Sequence, residues 1–78
     1  MSLVGGTGGD TLIAGSGDDT LVGGPGHDSM DGRAGNDSLV GSAGDDTLIG
    51  ATGNDSLFGH SGNDLIYGNL GDDSLSGN

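Results

Sequence analysis

Seventy-eight residues leave room for one small domain, expected to span 1–78. The hydrophobic fraction is 29%, the aromatics are Phe58 and Tyr67, and the formal net charge is −11 with Arg33 as the one strong cation, a composition that by itself reads as disordered. The acidity excludes nucleic acid and anionic membranes as partners, the lack of Cys excludes disulfides, no run is long or apolar enough to span a membrane, and nothing at the N-terminus resembles a signal peptide.

From Gly5 to Ser76 the chain is a tandem array of eight nine-residue units without a slip in register. The first, 5–13, reads Gly-Gly-Thr-Gly-Gly-Asp-Thr-Leu-Ile. The second, 14–22, opens on Ala14 where the other seven open on Gly. The third, 23–31, carries Pro25, His27, Met30 and Asp31 and is the least regular. From the fourth unit, 32–40, onward, unit position 2 is no longer Gly: it becomes Arg33, Ser42, Ala51, His60 and Asn69. The units 41–49, 50–58, 59–67 and 68–76 complete the array. Throughout, position 4 is Gly, position 6 is Asp, and position 8 is an aliphatic residue or Met.

Each unit divides into a turn and a strand. Positions 1 to 6 are rich in Gly, which permits φ > 0 and close backbone approach, and they end in Asp. Positions 7 to 9 (Thr11–Ile13 and its equivalents) are short and rich in β-branched residues around one invariant apolar side chain. That pattern predicts a three-residue strand whose centre points inward while its neighbours point out. Helix is excluded by the density of Gly and the absence of a 3.6 period. Turn-strand-turn-strand closes one coil of a solenoid in 18 residues, so the eight units predict four coils in an all-β parallel β-solenoid. Odd units stack into one short-stranded parallel sheet and even units into the other, with position 8 filling the thin space between. Ile13, Ile49 and Tyr67 are expected on one outer face and Val22, Val40 and Phe58 on the other. Such outward apolar rows, together with the open solenoid ends, make self-association an expected property.

All twelve acidic residues are Asp, and there is no Glu. Asp beside Gly signals tight turns and short-reach oxygen ligands. Stacking places the position-6 carboxylates of units n and n+2 next to one another: Asp10, Asp19, Asp28, Asp37, Asp46, Asp55, Asp64 and Asp73 are the candidate metal ligands. Without a cation these columns repel. Ca²⁺ suits them best, since it accepts six to eight oxygens in flexible geometry, whereas Mg²⁺ keeps its water and Zn²⁺ wants His or Cys at fixed spacing. His27 and His60 lie too far apart in sequence and are read as exposed filler, and Arg33 as a neutraliser of a neighbouring acid. Pairs of units two apart make about six sites, three on each edge. The expected mechanism is cooperative folding on Ca²⁺ binding, with dissociation constants of roughly 10⁻⁴–10⁻³ M. No catalytic constellation is present: there is no His-Glu-x-x-His, no Cys, no Lys, and nothing orients a His beside a Ser. The chain is read as no enzyme.

The unit resembles Gly-Gly-x-Gly-x-Asp-x-U-x, the repeat of the RTX (repeats-in-toxin) proteins, over 5–76. The resemblance implies a right-handed parallel β-roll that folds with Ca²⁺, in an extracellular, secreted setting. It also implies that the carbonyls of Gly8, Gly17, Gly26, Gly35, Gly44, Gly53, Gly62 and Gly71 join the Asp carboxylates as ligands, with position 2 a further donor. The chain ends near Asn78 without the C-terminal capping and secretion segment usual after such repeats, and is expected to be an excised or designed repeat block. The rival expectation is a metal-independent adhesive, self-assembling or ice-binding surface, built on the outward rows and the position-7 hydroxyls of Thr11, Thr20, Ser29, Ser38, Thr47, Ser56 and Ser74.

Overall fold

The computed structural model describes residues 1–77; Asn78, the last residue of the expected domain, lies outside them. The described residues form nine three-residue strands and no helix. These are β1 (Ser2–Val4), β2 (Thr11–Ile13), β3 (Thr20–Val22), β4 (Ser29–Asp31), β5 (Ser38–Val40), β6 (Thr47–Ile49), β7 (Ser56–Phe58), β8 (Leu65–Tyr67) and β9 (Ser74–Ser76). Strands β2 to β9 fall on positions 7 to 9 of the eight units. Strand β1 is additional: Ser2-Leu3-Val4 repeats the strand half of a unit ahead of the first turn, so the stack begins before Gly5.

Strands two apart in sequence pair in parallel. One sheet has the order β1-β3-β5-β7-β9 and the other β2-β4-β6-β8, which makes a β-solenoid of about four turns with 18-residue coils. The register holds throughout: Thr20 pairs Ser38, Leu21 pairs Leu39, and Val22 pairs Val40. Hydrogen bonds of 2.7–2.9 Å extend each ladder past the strand ends, from the position-1 amides (Gly23 to the Val40 carbonyl) and from the position-7 amides to position-6 carbonyls (Ser38 to Asp19).

The molecule measures 28 × 21 × 11 Å between Cα extremes. The short dimension is one sheet-to-sheet spacing, so a single layer of side chains fills the interior. That layer is position 8. Leu21, Met30, Leu39, Leu48 and Leu57 are fully buried, with Leu3, Leu12 and Ile66 packed partly against them. Each full burial contributes about 1.5–3 kcal/mol. The core fades at the C-terminal end, where Leu75 is 51% exposed. The irregular third unit forms its strand nonetheless. Asp31 lies in register between Ile13 and Ile49 on the outer face, its Oδ1 accepts the Arg33 amide at 3.1 Å, and its Oδ2 lies 3.8 Å from Arg33 Nε.

Candidate metal centre

Every turn ends in its position-6 Asp, and the ladder of parallel strands lines these residues up at 18-residue intervals along two edges. Every one of these carboxylates except that of Asp10 is held from the coil before it. The Asp28 amide donates to Asp46 Oδ1 at 2.9 Å, the Asp37 amide to Asp55 Oδ1 at 2.8 Å, and the Asp46 amide to Asp64 Oδ1 at 2.8 Å. The same bond joins Asp10 to Asp28, Asp19 to Asp37, and Asp55 to Asp73. The N-terminal ammonium of Met1 takes this role toward Asp19 Oδ1, at 2.9 Å.

The second oxygen is different. Oδ2 of Asp19, Asp28, Asp37, Asp46, Asp55 and Asp64 is buried without a hydrogen-bond partner, three on each edge. Of these side chains, Asp46 and Asp55 are only 1% and 2% exposed. A buried carboxylate oxygen left unpaired is costly, and the usual remedy is a cation. The oxygen itself fits there because position 1 carries no side chain: a Cβ on Gly50 would stand 2.5 Å from Asp55 Oδ2. Ala14 interrupts that column beside Asp19.

The position-4 glycines supply oxygen from the main chain. Their φ values run from 90° to 112°, and a Cβ on Gly53 would strike the Gly35 carbonyl of the preceding coil. Only Gly meets both demands. The carbonyls of Gly8, Gly17, Gly26, Gly35, Gly44, Gly53, Gly62 and Gly71 enter no hydrogen bond among the described residues. Among the described residues no group of three His, Cys, Asp or Glu side chains converges there either. A hard cation between the coils would therefore draw on main-chain carbonyls as well as carboxylates, a donor set that suits Ca²⁺.

The family model for the RTX calcium-binding nonapeptide repeat (4 copies) matches residues 4–39 and again 40–75. The chain belongs to that family. No curated protein and no solved structure matches it. As an RTX module it is a structural calcium-binding repeat.

Burial pushes the carboxyls of Asp37, Asp46 and Asp55 above the ordinary carboxylate range. The amide bonds from Asp19, Asp28 and Asp37 oppose this, and like charges in the same column add to it: Asp55 and Asp19 around Asp37, Asp28 and Asp64 around Asp46, Asp73 beside Asp55.

Two features of this RTX repeat escape a reading of the sequence. Position 5 forms a second ladder, running opposite to the Asp ladder. Its side chain accepts the position-5 amide of the following coil: Asp18 Oδ1 from Asn36, Asn36 Oδ1 from Asn54, Asn54 Oδ1 from Asp72, and Asp45 Oδ1 from Asn63, at 2.8–2.9 Å. His27 joins it through Nδ1, which accepts from Asp45 at 2.9 Å, and so is more than filler. His60 instead lies against Phe58, with ring centroids 6.2 Å apart. The second feature is position 2, where Arg33, Ser42, Ala51, His60 and Asn69 adopt left-handed φ values of 65° to 80° despite their side chains. That conformation costs about 1–2 kcal/mol per residue outside Gly.

Proposed function

We propose that this RTX module is a calcium-dependent folding switch, a single non-catalytic β-roll domain working in an extracellular, secreted setting. The position-6 carboxylates and position-4 carbonyls would hold about six Ca²⁺ ions between successive coils. The bound ion supplies positive charge where two columns of carboxylates and a row of unused carbonyls face one another. The chain's own contribution is to pin each Oδ1 with an amide of the preceding coil, which leaves Oδ2 without a hydrogen bond beside the position-1 residue of its own turn.

The observation that carries this reading is the set of six buried, unpartnered Oδ2 atoms, three per edge. It equals the number of unit pairs two apart in the array. A one-layer core of short strands has little hydrophobic surplus, and small scaffolds of that kind need a further tie. Because carboxylates must approach one another for the coils to stack, binding and folding are one process.

Circular dichroism during a Ca²⁺ titration tests the switch. Strand signal is expected to grow cooperatively with Ca²⁺ and to vanish in excess chelator. Equal strand content in chelator and in saturating Ca²⁺ would reject it.

A further inference from the structure

The two edges of the solenoid differ in their backbone bonding. Turns of odd units lead into the four-stranded sheet and turns of even units into the five-stranded sheet. The buried, unpartnered carboxylate oxygens do not separate the edges, since Asp28, Asp46 and Asp64 on the odd edge match Asp19, Asp37 and Asp55 on the even one. On the even edge, the position-3 amides of its last two units reach the preceding coil: Thr52 donates to the Arg33 carbonyl and Leu70 to the Ala51 carbonyl, both at 3.1 Å, whereas Ala34 makes no such bond to Gly15 among the described residues. These contacts form a run of parallel bridges, Ala34 with Thr52 and Thr52 with Leu70. On the odd edge, position 3 is Pro25, Ala43 and Ser61 in successive coils. Pro25 has no amide hydrogen, and among the described residues neither Ala43 nor Ser61 donates to a position-2 carbonyl.

The position-2 carbonyls are thus unlike. Those of Gly24 and Ser42 keep both lone pairs, while those of Arg33 and Ala51 commit one to a neighbouring coil and are aimed along the stack by that bond. Ca²⁺ affinity follows the number and freedom of the oxygens offered. From this we infer that the module holds two classes of calcium site: a tighter class on the odd edge, around Asp28, Asp46 and Asp64, and a weaker class on the even edge, around Asp37 and Asp55, whose units carry the committed Arg33 and Ala51 carbonyls. The inference rests on the calcium reading above and adds an order of filling. Both edges share the ladder bonds, but the even edge adds the position-3 tie and the odd edge does not, so the first ions go where that tie is missing.

Amide NMR of the chain through a Ca²⁺ titration separates the classes. The Asp28, Asp46 and Asp64 amides are expected to reach their bound positions at roughly tenfold lower Ca²⁺ than those of Asp37 and Asp55. Coincident midpoints, or an even edge that fills first, would overturn the inference while leaving calcium-dependent folding intact; no response to Ca²⁺ at all would instead sink the parent reading. Hydrogen exchange in saturating Ca²⁺ gives a readout independent of affinity. Thr52 and Leu70 amides should exchange at least about tenfold more slowly than Ala43 and Ser61, and equal rates would overturn the asymmetry. The double substitution Ala51→Gly with Thr52→Pro copies Gly24-Pro25 onto the even edge and frees the Arg33 carbonyl. It should move the even-edge midpoint toward the odd-edge value; an unchanged midpoint in the folded variant contradicts the role given to that carbonyl.

Discussion

Asp46 sits near the middle of the stack, 1% exposed, and makes two separable contributions. Its Oδ1 accepts the Asp28 amide at 2.9 Å, and its Oδ2 is buried beside Gly41 of its own turn, unpartnered. Asp46→Ala removes both and strands the buried Asp28 N–H, a loss of about 1–3 kcal/mol from the hydrogen bond alone. Asp46→Asn keeps an acceptor oxygen for that amide and removes the charge. If about six ions enter in one transition, a loss of that size spreads over all of them and raises the calcium midpoint by a factor of about 1.3–2.3, from exp(ΔΔG/6RT). Asp46→Ala should therefore lie above Asp46→Asn by that factor, and both above the parent chain. Asp10→Ala supplies the control at the end of the stack, because Asp10 is half-buried and its Oδ2 accepts only an exposed amide, from Gly6 at 2.9 Å. Its shift should stay below about 1.3-fold. Circular dichroism against Ca²⁺ measures the midpoints, and urea denaturation in saturating Ca²⁺ measures the energies. Equal midpoints for Asp46→Ala and Asp10→Ala would refute the stacking logic, and equal midpoints for the Ala and Asn variants would remove the amide bond from it.

Core and turn substitutions sort by position. Leu48→Ala, at a fully buried site, should cost about 2–5 kcal/mol by urea denaturation in saturating Ca²⁺, whereas Leu75→Ala, 51% exposed, should cost under about 1 kcal/mol; a reversed order would contradict the position of the core. Gly53→Ala demands φ of 109° from an L-residue and puts a methyl against the Gly35 carbonyl, so it should cost at least about 2 kcal/mol. Ala51→Gly relaxes a φ of 72° and should gain up to about 1 kcal/mol; the two changes should thus have opposite signs in the same assay. The raised carboxyls of Asp37, Asp46 and Asp55 set the sign of the pH response without calcium. A carboxyl whose folded value is raised stabilises the fold fully below about pH 4, the unfolded value, and that stability is lost as pH rises through the folded value. Calcium-free protein should gain strand signal on acidification from neutral pH, while the calcium midpoint rises in acid because ligation needs the ionised form. Loss of strand signal on mild acidification of the calcium-free chain would contradict this.

The strands were legible because the repeat never slips: one invariant apolar residue every nine positions fixes both the inward face and the stacking partner. Leu21, Met30, Leu39, Leu48 and Leu57 follow from that alone. Strand β1 carries the same Ser-Leu-Val signature as β5 but no preceding turn, so a repeat frame drawn from the glycines passes over it. The position-6 Asp column was legible through identity. The position-5 ladder was not, since Asp18, His27, Asn36, Asp45 and Asn54 share no residue type; what they share is an acceptor atom on a short arm. The left-handed turns at Arg33 through Asn69 were obscured for a related reason. Gly announces such a backbone in the third unit, and later units keep the conformation after the Gly is gone. The difference between the edges depends on which position-3 amides reach a neighbouring carbonyl, a matter of coil geometry that only Pro25 betrays in the sequence.

Anomalous diffraction from a crystal grown in Ca²⁺ tests the central claim, that ions clamp one coil to the next, most directly. Peaks are expected between successive turns, at about 2.3–2.6 Å from Oδ2 of the buried aspartates and from position-4 glycine carbonyls. A well-ordered stack at saturating Ca²⁺ with no peak between its turns would contradict it.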